Sequence, residues 1–180
     1  MVMQDEIENL LTQSRHARFK TPDDAKRDLA EAVRLARASD DRLQLAQTLT
    51  ALGQIERDLH LADEALRHYE EAAAIYRTAE VPLKVAHTIR HIGDIHQDEG
   101  RLGEAEPFYR EALAIYRVHK ETPLLDLANA IRPLALLTTK TSRPQEAKML
   151  WEETRKLYAA VNVDAGVAES TRQIGLLEKR

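Results

Sequence analysis

The chain repeats itself every forty residues or so, and this self-similarity restricts its possible folds more than any other feature. Leu45-Ala46, Val85-Ala86, Leu127-Ala128 and Val167-Ala168 are separated by 40, 42 and 40 residues, and Gly53, Gly93, Ala135 and Gly175 repeat the same steps. A second series, Ala25, Ala65, Ala105 and Ala147, is spaced 40, 40 and 42, with Leu29, Tyr69, Tyr109 and Trp151 four residues further on. Two interleaved series imply two elements per repeat. A unit of this length cannot bury its own apolar face and must stack on its neighbours. The small residues let two elements approach closely, and the bulky residue four positions after each alanine fills the adjoining groove.

Both elements read as helices. The 180 residues hold only six glycines and six prolines, with aromatics at 4%, while Ala, Leu, Glu, Arg and Gln dominate. Segments 43–59, 62–76 and 103–116 place apolar residues three and four apart with charges between them. Pro22, Pro82, Pro123 and Pro144 fall where helices begin, a position at which the missing N–H costs little. Thr21 with Asp24, and Ser142 with Gln145, have capping-box spacing. Pro107 is expected in a harmless first turn, whereas Pro133 lies mid-segment and is expected to bend or loosen its helix over Ala130–Leu134.

A small residue, an alanine twelve residues later, an aromatic four further on and another alanine three after that together resemble the tetratricopeptide repeat. Leu49, Leu52, Gly53, Ala65, Tyr69 and Ala72 carry the pattern in the second unit, and Ile89, Ile92, Gly93, Ala105, Tyr109 and Ala112 in the third. The fourth keeps Ala135, Ala147 and Trp151 but has Thr154 at the last alanine position; the first keeps Ala25, Leu29 and Ala32. The period exceeds the usual one of about 34, which makes the chain similar to the longer repeats of kinesin light chains. The resemblance implies an all-α, right-handed α-solenoid of antiparallel helix pairs. It implies a single domain over residues 1–180, with pairs at 5–38, 42–78, 83–119 and 124–161 and a capping helix at 165–180.

Composition narrows function by exclusion. A formal charge of -4 argues against a simple nucleic-acid binder, and the absence of cysteine removes disulfides, thiol catalysis and cysteine metal sites. The N-terminus is acidic where a secretory signal is basic, and no apolar run approaches the length of a membrane span, so a cytoplasmic protein without membrane attachment is expected. No phosphate-binding glycine loop, dinucleotide fingerprint or nucleophile elbow occurs. The expectation is a non-enzymatic protein with no cofactor.

The resemblance further implies that the first helix of each pair lines a concave groove. Counting from Ala46, Ala86, Ala128 and Ala168, the second, fifth, ninth and twelfth positions face it. These positions supply the peptide-binding residues Gln47, Gln54, Arg57, His87, Arg90, Asp94, Asn129, Arg132 and Arg172, together with Thr50, Gln97, Leu136, Thr139, Glu169, Leu176 and Lys179. Five of these side chains are basic and two acidic, so the groove is more positive than the rest of the surface. Arg90, Arg132 and Arg172 share one repeat position and are expected to form a ladder of guanidinium forks, while Gln47, Gln54 and Asn129 can bond an extended backbone. An acidic peptide or partner segment suits such a surface. The competing possibility is that the arginines pair internally with Asp94 and Glu169.

Tetratricopeptide domains that clamp C-terminal carboxylates use recurring lysines and asparagines, and kinesin light chains carry an asparagine ladder. Here Ala51, His91, Pro133 and Gln173 occupy that column, so neither specificity transfers. His87, His91 and Asp94 have metal-ligand spacing but read as groove residues, with no metal expected; His16, His60, His68, His96 and His119 read as helix-end or surface residues. The recurring tyrosines and Trp151 read as packing residues. Two further functional readings are a homodimer formed through Val167, Ile174 and Leu177, and a sensor or regulatory module of a larger signalling system.

Overall fold

The computed structural model describes residues 2–179. Among them nine helices follow one another and no strand occurs: α1 (Val2–Ala17), α2 (Pro22–Ala38), α3 (Arg42–Asp58), α4 (Ala62–Thr78), α5 (Pro82–Asp98), α6 (Leu102–Val118), α7 (Leu124–Lys140), α8 (Pro144–Ala160) and α9 (Asp164–Leu177). The architecture is all-α, of the solenoid class built from helix pairs. Helices α2 to α8 are each 17 residues long. A helix of that length followed by a three-residue turn advances the chain by half a repeat, which is the physical origin of the forty-residue period.

Five of the turns are built alike. His60, Glu80, Gly100, Ser142 and Asn162 have φ of 59, 55, 76, 57 and 57°, in the left-handed region. The amide after each reaches back to a carbonyl in the last turn of the preceding helix: Leu61 to Glu56 at 2.8 Å, Val81 to Tyr76 at 3.1 Å, Arg101 to His96 at 2.8 Å, Arg143 to Thr138 at 3.0 Å and Val163 to Tyr158 at 2.9 Å. These bonds satisfy carbonyls that the helix end would otherwise leave without donors. Residues 119–123 form a longer turn before α7, where the Thr122 hydroxyl donates to the Tyr116 carbonyl at 2.9 Å. Its two additional residues turn the repeat spacing from 40 to 42.

Helix starts depart from two expectations. Thr21 is the N-cap of α2 but makes no side-chain cap bond, and Ser142 lies one residue outside the Arg143 N-cap, in the left-handed turn position. Asp41 does cap α3, accepting from the Gln44 amide at 2.9 Å. Pro22, Pro82 and Pro144 open their helices, while Pro123 is the N-cap of α7. Pro107 is the sixth residue of α6, in the second turn rather than the first. Pro133 is buried inside α7, which continues through it without a break; its ring removes the amide that would serve the Asn129 carbonyl.

The helices gather into two compact units divided within α5, between Thr88 and Ile89. In the first, the Tyr69 ring covers Gly53 so closely that a Cβ there would meet ring carbons at 3.1 Å. Glu56, fully enclosed at the end of α3, bonds His68 Nδ1 at 2.6 Å, so His68 is an interhelical partner rather than a surface residue. In the second unit, Gly93 lies under Tyr109 in the same way, with a hypothetical Cβ 2.8 Å from the ring. Ala135 and Trp151 occupy the equivalent places in a core that also holds Tyr109, Ile131, Leu134 and Ile174. His96 stacks on Phe108 with centroids 5.5 Å apart, and Thr154 fits at the alanine position by donating to the Leu150 carbonyl at 2.8 Å. Gly175 departs from the pattern: nothing lies within 4 Å of where its Cβ would be.

Candidate functional site

In the second unit, α7 and α9 line a pocket of about 620 Å³. Asn129, Arg132, Glu169 and Arg172 border it, with Tyr158 of α8 at its base. Arg132 donates through Nε and Nη2 to the two oxygens of Glu169 at 2.6 and 2.7 Å, a bidentate pair that raises the arginine's pKa. The Tyr158 hydroxyl donates to Asn129 Oδ1 at 2.9 Å. That bond uses the Asn129 carbonyl oxygen, and the residue also lines the pocket. Burial pushes the Tyr158 hydroxyl's pKa up, so it remains a neutral donor. Arg172 stands exposed on the pocket's border.

The three arginines of one repeat position therefore occupy three environments. Arg90 is turned inward: it donates to Asp94 Oδ2 at 3.0 Å and to His91 Nε2 at 2.9 Å. Arginine offers only donors, so Nε2 must accept and Nδ1 must carry the imidazole proton, which it gives to Asp94 Oδ2 at 3.1 Å. Tyr109 donates to the other Asp94 oxygen at 3.0 Å. Asp94 is thus the buried hub of a polar network that fixes α5 to α6. Beside it, burial drives the Tyr116 hydroxyl up to about 12, against the lowering effect of the Arg90 charge. Arg132 is tied to α9 with its side chain still 41% exposed, and Arg172 is exposed. Among the described residues no cluster of histidines and carboxylates is placed to hold a metal ion.

The first unit has its own pocket, of about 250 Å³, between α1 and α3. Gln47, Thr50, Gln54 and His87 line it, and all come from the expected groove positions. Gln54 Nε2 donates to Asp58 Oδ1 at 3.1 Å, and Arg18 Nε reaches Asp58 Oδ2 at 2.6 Å. Arg57, half-buried on the last turn of α3, does not line this pocket. Sequence reasoning did not single out Arg15, Arg18 or Asp58 here, nor Gly166 in the second unit; it placed Ala51 only in the asparagine column and read Tyr158 as a packing residue. One signal was present: Thr50 and His87, which line one pocket, are 37 residues apart, as are the paired Arg132 and Glu169, so the fifth position on the first helix of one pair comes near the second position on the first helix of the next.

Models of the tetratricopeptide repeat match residues 16–78 and 85–119, more than half of the sequence between them. The chain belongs to the tetratricopeptide repeat family. Solved structures of similar fold include aspartyl phosphate phosphatase F from Bacillus subtilis, with a TM-score of 0.87 at 15% identity over 96% of this chain and 45% of that one. The apo form of RapI gives 0.86 at 14% identity over 98% and 49%. A kinesin light chain with nearly identical repeats from Podosopora anserina gives 0.70 at 15% identity, covering 96% of this tetratricopeptide chain and 94% of its own. The chain spans about half the length of the first two. No curated protein sequence matches it. These identities speak to fold, and they agree with repeats of the longer, kinesin-light-chain-like kind. No described helix is long and apolar enough to cross a membrane.

Proposed function

We propose that this chain works as one repeat domain, a non-enzymatic scaffold of the cytoplasm in which the first helices of the pairs hold an extended segment of a protein partner. The observation that carries the reading is the α7–α9 pocket, where Asn129, held through its oxygen by Tyr158, and the exposed Arg172 border an open space next to the Arg132–Glu169 pair. An extended backbone offers carbonyls to the Asn129 amide, and an acidic side chain offers a carboxylate to the Arg172 fork. A charge-assisted hydrogen bond of this kind contributes about 1.5–3 kcal/mol. The Arg90 network supports the role differently: Arg90 bonds Asp94 and His91, Tyr109 bonds the other Asp94 oxygen, and together they brace α5 against α6.

The test is fluorescence anisotropy against labelled twelve-residue peptides, one set rich in Asp and Glu and one rich in Lys. Wild type should prefer the acidic set, and Arg172→Glu should weaken that binding about tenfold or more, since each tenfold is about 1.4 kcal/mol. Arg67→Glu, on the exposed face of α4, should leave it unchanged. Equal binding by wild type and Arg172→Glu would remove the basis of the proposal.

A further inference from the structure

We infer that the α1–α3 pocket of the first unit is an anchor site for one apolar side chain of the partner segment, with an acidic residue next to it in sequence. The inference rests on the scaffold reading above and names what the first unit recognises. The floor of the pocket is apolar: Leu11, Leu29 and Ile55 are buried beneath it and present only hydrocarbon. Its border is cationic. Arg18 is answered by Asp58, but Arg15 is exposed beside it, and none of the described residues that line the pocket is a carboxylate.

The space exists because of one residue. Ala51 lines the pocket at a repeat position where the later repeats have His91, Pro133 and Gln173. His91 fills its place and is bonded on both ring nitrogens, and Pro133 is buried. Only in the first unit does this column hold a methyl group, and there a cavity of about 250 Å³ opens over leucine and isoleucine side chains. Apolar surface that water covers poorly gains by taking a hydrocarbon group, while the neighbouring guanidinium selects the sign of the adjacent charge. The occupant that satisfies both is a Leu-Glu or similar apolar-acidic step in an extended chain. The amides of Gln47 and Gln54, on the same wall, match its backbone.

The probe is N-acetyl-Leu-Glu amide, titrated into the full chain carrying labelled methyl groups and followed by NMR. Saturable shifts are expected at the Leu11, Ala51 and Ile55 methyls, with a Kd on the order of 1 mM. N-acetyl-Ala-Glu amide and N-acetyl-Leu-Lys amide should each bind at least fivefold more weakly. Ala51→Leu and Ala51→Gln fill the cavity with side chains that helices accept, so folded protein with the remaining shifts abolished is expected. No saturable shift at these methyls, equal binding by the alanine probe, or undiminished binding by folded Ala51→Leu would each overturn the inference. The readout lies on α1 and α3, whereas the acidic-peptide assay reads Arg172 on α9, so failure of one is distinguishable from failure of the other.

Discussion

Glycine in this chain has opposite meanings one short helix apart. Gly166 lies under the Tyr158 ring, which a Cβ would overlap, whereas Gly175 has open space on all sides of the place its Cβ would take. Both are helical, so both give away the entropy that glycine costs in a helix. Only Gly166 gains something in return, the close approach of α8 to α9. Gly166→Ala should therefore lose about 1–3 kcal/mol from overpacking, the ring being fixed by its bond to Asn129. Gly175→Ala should instead gain about 0.5–1 kcal/mol of helix propensity. Urea midpoints at unchanged slope measure both. Destabilisation by Gly175→Ala would mean that a neighbour does pack there. The shared forty-residue register of Gly53, Gly93 and Gly175 does not separate these cases, because a period records position and not whether a following helix arrives to use it.

At the scale of the element, the turns carry a repeated strain that one unit has relieved. Glu80, His60, Ser142 and Asn162 adopt the left-handed conformation that Gly100 adopts without penalty. The conformation is imposed by the amide that follows, since the five-residue return bond from Val81 to the Tyr76 carbonyl forms only when Glu80 turns this way. Glu80→Gly should raise stability by about 0.5 kcal/mol, the relieved strain less the extra freedom of unfolded glycine, and Gly100→Ala should lower it by about 1 kcal/mol. Thermal unfolding of the two variants should move in opposite directions; a fall for Glu80→Gly would show that its side chain matters more than its φ. Helix positions were legible in sequence because alanine, aromatic and proline recur at fixed offsets. The caps at Thr21 and Ser142 were less so, because hydroxyl spacing alone does not reveal that Ser142 is spent on the left-handed turn. The contact between positions 56 and 68, a carboxylate on a histidine, becomes a ring stack between 96 and 108, and the equivalent Thr138 and Leu150 are simply buried. The same geometry accepts three chemistries, so no residue identity there signals the pairing.

Across the whole molecule, the repeat made the fold readable, while the state of the groove depended on pairs that only adjacent repeats create. Arg132 meets Glu169 across 37 residues, and composition alone does not say whether such a guanidinium is spent or free. The same dependence decides what α9 can do. Two of the residues that would make it attractive to a second copy are already used: Ile174 is 7% exposed and belongs to the core with Leu134 and Trp151, and Leu177 packs partly against it, whereas Leu176 is 52% exposed. On the face where another helix would lie, α9 presents exposed Thr171 at the repeat position held by buried Leu49, Ile89 and Ile131, and Glu178 at that of buried Glu56 and Thr138. Glu178 in turn binds Lys148 at 2.7 Å. These polar positions offer a second helix little apolar surface to cover. A dimer through Val167, Ile174 and Leu177 would have to pull Ile174 out of its own core. Ile174→Asp separates the two situations. As a core residue its replacement buries an unpaired carboxylate and should cost about 3 kcal/mol or more, lowering the unfolding temperature with no change in assembly state. As a dimer contact it should yield a folded monomer from a wild-type dimer. Sedimentation and calorimetry on both proteins decide the matter, and the buried position of Ile174 predicts a wild type that sediments as a monomer and a variant that unfolds earlier.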